Sequence, residues 1–165
     1  MRFLLLLFLF VSPFFLSQGN LVQITGKTNV NTFRCLNQNF ANVIDLDSKH
    51  LPTISLRVND FDCRNKIMTS DFQKTLQSSS HPTLHVKFLS LEKISTSGYY
   101  KGVLEVRLMN KTKKYETRFF EDQKVLLGNK TVKFSDFGIT PPKRMAGTIV
   151  VKDELDLSFR LMAKN

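Results

Sequence analysis

The residues of this chain that could do chemistry form few recognisable constellations. Asp136-Phe137-Gly138 spells the metal-binding triplet of protein kinases, but no glycine-rich phosphate loop or catalytic-loop pattern accompanies it. It reads as a chance match, with Gly138 permitting a backbone turn and Pro141-Pro142 stiffening the loop beyond. His81 and His85 are four apart, a spacing that would put both rings on one face of a helix. Pro82 and the alternation of Leu84, Val86 and Phe88 argue instead for a strand, and a pair of histidines without a third ligand does not make a metal site. The sequence has no G-x-S-x-G elbow, H-E-x-x-H pair, paired-carboxylate motif or P-loop. The expectation is a protein that is not an enzyme and that uses neither a metal nor a cofactor.

Composition narrows the partners. The 165 residues carry 24 Lys and Arg against 14 Asp and Glu, a formal net charge of +10, with 42% hydrophobic residues. That length suits one domain and excludes large multi-domain enzymes, and the composition is neither disordered nor polytopic. The basic surplus includes Lys111, Lys113 and Lys114 at an expected turn and Lys143 with Arg144 beside the double proline. It could attract anionic lipid headgroups or a pyrophosphate, giving peripheral contact with an anionic membrane; being dispersed, it also reads as a solvated basic surface. Nucleic acid is not an expected partner, because no basic stripe interleaves with stacking aromatics. Asn110-Lys111-Thr112 and Asn129-Lys130-Thr131 fit the glycosylation acceptor pattern, which matters only in a eukaryotic host.

Met1-Arg2 precedes an almost unbroken apolar run from Phe3 to Leu16, and Ser17-Gln18-Gly19-Asn20 supplies small residues after it. The run is short of the roughly 20 residues that span a bilayer. It therefore predicts a cleaved signal peptide over residues 1–19, a single domain over 20–165, and a periplasmic or secreted location. In an oxidising compartment Cys35 and Cys63 are expected to pair as a structural disulfide. The loop so closed, about 29 residues, is worth about 3–4 kcal/mol in the chain-entropy model.

The elements that must position all of these residues are strands. Ile54, Leu56 and Val58 alternate with polar neighbours, as do Leu84, Val86 and Phe88; Leu104, Val106 and Leu108; and Leu155, Leu157, Phe159 and Leu161. Further strands are expected around 21–35, 39–46, 115–121, 131–137 and 146–152, separated by Ser97-Gly98, Asn110-Lys111, Gly128-Asn129 and Pro141-Pro142 as turn-formers. One short helix is predicted from Thr69 to Leu76, where Phe72 and Leu76 lie one turn apart. Eight or nine strands with little between them point to an antiparallel barrel or a sandwich.

Several segments together resemble the YceI-like family of exported bacterial lipid-binding proteins. They are Gly26-Lys27-Thr28-Asn29-Val30-Asn31-Thr32-Phe33-Arg34-Cys35, Cys63 to Met68, Asp71 to Leu76, His81-Pro82-Thr83-Leu84 through Phe88, Phe134 to Pro142, and Gly147 to Leu155. The chain departs from the family where Gly102-Val103-Leu104-Glu105-Val106 lacks the second glycine of the usual hairpin. The resemblance implies an all-β, eight-stranded antiparallel barrel of lipocalin-like shape with one short helix. It also implies an elongated apolar cavity for a polyisoprenoid or another long-chain amphiphile, and it leaves a homodimer open. Cavity lining is expected from Ile54, Leu56, Val58, Leu84, Val86, Phe88, Leu104, Val106, Leu157 and Phe159, with Phe72 and Leu76 near one mouth. Ordinary core packing is the competing reading for each of these twelve. An eight-stranded barrel can hold one slender ligand or be filled by its own side chains. The alternative function is accordingly a filled barrel acting as a non-enzymatic surface or stress-associated interaction protein.

Overall fold

The computed structural model of the protein describes residues 19–94 and 96–165; the expected leader, residues 1–19, lies outside the described residues apart from Gly19. Its elements are β1 (Leu21–Thr28), β2 (Thr32–Asn37), β3 (Val43–Asp45), β4 (Thr53–Arg57), α1 (Lys66–Thr75), β5 (Thr83–Lys93), β6 (Tyr99–Leu108), β7 (Lys111–Asp122), β8 (Val125–Lys133), β9 (Lys143–Arg144) and β10 (Ile149–Lys164). Single 3₁₀ turns follow β4 at Val58–Asp60 and β8 at Phe134–Phe137.

The hydrogen-bonded path runs β2-β1-β10-β8-β7-β6-β5-β4. These eight strands form a curled antiparallel sheet, and β3 adds a short parallel pairing to the end of β10. Curling brings the edge strands β2 and β4 together. Their seam is joined by Leu36 and Asp62, whose backbones exchange two hydrogen bonds of 2.9 Å. Asn37 Nδ2 donates to the Arg57 carbonyl at 3.1 Å, and the Cys35–Cys63 disulfide crosses the same seam. The expected disulfide is thus present, and it closes the curl.

The period-two alternation of the sequence becomes an inside and an outside. All twelve residues anticipated as lining are buried. Among the described residues each buried polar side chain is satisfied; an unpaired one would cost about 1–3 kcal/mol. Asn20 donates to the Phe40 and Asn42 carbonyls and accepts from the Met162 amide. Thr117 donates to the Asn129 carbonyl at 2.7 Å.

Several boundaries differ from the sequence reading. Gly128-Asn129 is not a turn but the middle of β8; the turn lies at Gln123 and Lys124, both at positive φ. Gly128 is small because the Phe119 ring occupies the space of a Cβ, which would lie 2.3 Å from ring carbons. The helix begins at Lys66 rather than Thr69, because Asn65 caps it by accepting the Met68 amide at 3.0 Å. The segment 21–35 divides into β1 and β2 at a turn in which Thr28 Oγ1 accepts the Asn31 amide. Of 39–46 only Val43–Asp45 is strand, 134–137 is 3₁₀, and 146–148 is turn leading into β10.

Candidate functional site

The open apolar space lies at one end of the barrel, where the β1–β2 turn, α1, the 3₁₀ turn after β8 and the β9–β10 loop converge. There a pocket of about 310 Å³ is walled by Phe33, Met68, Phe72, Phe134, Ile149 and Val151. Polar residues at its edge include Asn31, Asn65, Asp71 and Arg144. Such a volume sits at the lower end of the roughly 300–1,000 Å³ of small-molecule sites.

Each wall has a local cause. Phe33 pairs across the ladder with Gly26, whose missing side chain leaves the ring free to lie against β1. The cap at Asn65 fixes the start of α1, so that Met68, Phe72 and Thr75 share the face turned to the pocket. The Arg144 Nε donates to Asp71 Oδ2 at 2.8 Å, which ties β9, and with it the start of the β9–β10 loop, to the helix.

Phe134 is held by a polar clasp. Tyr115 Oη donates to Asp136 Oδ2 at 2.7 Å, and the Lys133 amide donates to the same oxygen at 3.2 Å. Gly138, at φ +70, closes the 3₁₀ turn that carries both Phe134 and Phe137. Burial, with the hydrogen bond to Asp136 and its negative charge, raises the Tyr115 pKa far above its ordinary value of 10.0. The unfolded chain releases this proton near pH 10 while the folded one keeps it. Stability from this group is complete below pH 10 and drains away as pH rises beyond it. Tyr115→Phe is expected to flatten that alkaline decline and to cost about 1–2 kcal/mol at neutral pH. Denaturation midpoints across the alkaline range test this, and parallel pH profiles for the two proteins would refute it.

Beneath Phe72 and Phe134 the space narrows to about 40 Å³, bordered by Leu76, Leu84, Val106 and Leu157 among others. Room of that size is close to one water molecule. Farther from the mouth the interior is crossed by aromatic rings. Phe119 packs against Phe88 and Phe159 with centroids 5.5 and 6.1 Å away, and it covers both Gly102 and Gly128. Of the expected elongated cavity, the structure has an apolar space at one end and, farther in, three aromatic rings in contact.

Of the twelve anticipated residues, Phe72 borders both spaces, and Leu76, Leu84, Val106 and Leu157 border the inner one. Ile54, Leu56, Val58, Val86, Phe88, Leu104 and Phe159 lie in the packed core. Sequence reasoning did not single out Met68, Phe134, Ile149 and Val151 as lining. They sit on a helix, a 3₁₀ turn and a strand start, where alternation gives no direction. His81 and His85 share a shallow surface hollow with Arg107. His85 Nδ1 lies 3.0 Å from Ser55 Oγ, and partial burial together with the Arg107 charge lowers its pKa. Among the described residues no group of three or more His, Cys, Asp or Glu is placed to hold a metal ion.

No protein-family model matches the sequence, and no curated protein matches it either. Solved structures do match the fold. BcnA of Burkholderia cenocepacia superposes with a TM-score of 0.70 at 15% identity, over 88% of this chain and 96% of that one. The YceI protein of Campylobacter jejuni superposes with a TM-score of 0.56 at 12% identity, over 86% of this chain and 81% of that one. The chain therefore has a YceI-like fold.

Proposed function

We propose that this protein is an exported, non-enzymatic carrier that holds the tail of a long-chain amphiphile, foremost an isoprenoid, in the pocket beside α1. The observation that carries the reading is an apolar space of about 310 Å³, reachable from solvent and walled by four aromatic or sulfur-containing side chains. The YceI-like fold supports it, because the resemblance of the sequence to that family implies a lipid-binding barrel. At about 30 Å³ per methylene-sized group, the pocket takes roughly ten such groups. At about 0.8 kcal/mol each, they give about 8 kcal/mol before ordering costs, which corresponds to micromolar binding or weaker. A longer polyisoprenoid would have to leave its far end outside or displace Phe72 and Phe134. The polar head would meet Asn31, Asn65 and Arg144 at the edge.

The contact of Phe119 with Phe88 and Phe159 favours a second reading, a barrel filled by its own side chains whose role lies on its surface. Mass spectrometry of an organic extract of the native protein, with titration of a fluorescent polyene, separates the two. The carrier reading expects a co-purified amphiphile and saturable polyene binding. It also expects Met68→Asp to weaken that binding about tenfold or more, since it sets a carboxylate in an apolar wall. An empty extract together with no saturation would reject carriage and leave the surface role.

A further inference from the structure

We propose that the rim of this pocket is a docking surface for anionic lipid bilayers. Among the described residues the three most exposed large apolar side chains are Ile67 at 75%, Met145 at 72% and Val30 at 64%. They come from three separate segments: the start of α1, the β9–β10 loop and the β1–β2 turn. All three segments border the same pocket, through Ile67 itself, through Arg144 next to Met145, and through Asn31 next to Val30.

The rim is one connected surface. The Asn29 amide donates to the Val150 carbonyl at 3.1 Å, Asn29 Nδ2 to the Thr148 carbonyl at 2.9 Å, and the Val150 amide returns to Asn29 Oδ1 at 3.0 Å. The Arg144–Asp71 pair joins the same loop to α1. An apolar residue at each of three tips costs solubility unless something apolar receives it.

Charge decides what receives it. Lys27, Arg64, Lys66, Lys143 and Arg144 are exposed within these segments, and residues 27–31, 64–68 and 143–149 contain no Asp or Glu. Asp62 and Asp71 flank the patch, the latter engaged by Arg144. Apolar tips inside a basic surround match an anionic bilayer, in which the side chains enter the headgroup boundary and the cations meet phosphates. The inference draws its purpose from the carrier reading, since a pocket opening onto the membrane lets a tail pass without crossing water; the docking itself does not require an occupied pocket.

The test is vesicle flotation of the mature chain, with phosphatidylcholine alone and with phosphatidylcholine mixed with phosphatidylglycerol. The protein is expected to float with the anionic vesicles and not with the neutral ones, and to be released by salt. The double variant Val30→Asp and Met145→Asp, at exposed positions that do not line the pocket, should lower the floated fraction about tenfold or more. Its polyene titration without vesicles should match that of the parent chain. Lys143→Glu should weaken flotation less and reduce its salt dependence. Failure of the parent chain to float with phosphatidylglycerol overturns the proposal. Equal flotation of parent and double variant also overturns it, because charge alone would then explain the effect. A dimer in gel filtration that the double variant splits would assign the patch to a second copy of the chain. Flotation without any polyene binding would keep the docking surface and reject the carrier.

Discussion

Replacing Phe119 by alanine is expected to lower the unfolding free energy by about 3–5 kcal/mol, the range for deleting a buried aromatic ring. The value should fall in the upper part of that range. Cost at a core site depends on how far the neighbours can collapse into the space, and here the ring is flanked by Gly102 and Gly128, which have no side chains to move. Phe88 and Phe159 lie 5.5 and 6.1 Å from the ring centroid and are themselves anchored on β5 and β10. Urea denaturation would register this as a lower midpoint at an unchanged slope.

A second substitution checks the cause. Gly128→Ala alone should destabilise by about 1–3 kcal/mol through overpacking, because its Cβ would meet the ring at 2.3 Å. In the Phe119→Ala background the same change should be nearly neutral or favourable. The double-mutant cycle would then show a coupling of the same order, whereas additive losses would rule out the ring-on-glycine account. Polyene affinity should stay within about twofold of the parent in Phe119→Ala, since the new void is apolar, closed and remote from the mouth. A strong gain in affinity for longer polyenes would instead mean that Phe72 and Phe134 yield and that the barrel can be threaded.

Much of this architecture can be read from residue order because a half-buried strand writes its two faces into alternate positions. Leu84, Val86 and Phe88, or Leu155 through Leu161, mark by their order alone which side is interior. The same signal cannot tell a lined cavity from a filled one. Val86 and Val106 are opposite each other on β5 and β6, yet only Val106 borders the inner void. What decides between them is the reach of side chains across the axis, a non-local matter of ring size against missing Cβ atoms. Gly128 illustrates the loss. In sequence a Gly-Asn pair spells a turn, while in the fold the glycine makes room for a residue on the neighbouring strand. The pocket itself was the least legible part. Met68 and Phe134 project from a helix and a 3₁₀ turn whose placement depends on the Asn65 cap and the Tyr115–Asp136 bond. Short-range periodicity encodes neither.

The disulfide offers the second large effect. Cys35→Ala with Cys63→Ala should cost about 3–4 kcal/mol in the chain-entropy model, given a sequence separation of 28. Both cysteines are buried, and their position makes the loss directional. The seam between β2 and β4 would then rest on the Leu36–Asp62 bridge and the Asn37–Arg57 bond. The Cys63 amide also donates to Thr69 Oγ1 at 3.0 Å, and Asn65, two residues on, caps α1. Releasing Cys63 therefore loosens the helix that supplies Met68 and Phe72 to the pocket. Hydrogen exchange should quicken first at Leu36, Asp62 and the α1 amides, while β6, β7 and the central part of β10 keep their protection. Polyene affinity should fall several-fold in step with that opening, and chemical reduction of the parent protein should reproduce both changes. If the double variant instead lost stability uniformly along the chain and kept its full affinity, the bridge would be acting on the unfolded ensemble alone. In that case the mouth would owe its shape to the Arg144–Asp71 and Asn29–Val150 contacts, which remain when the disulfide is gone.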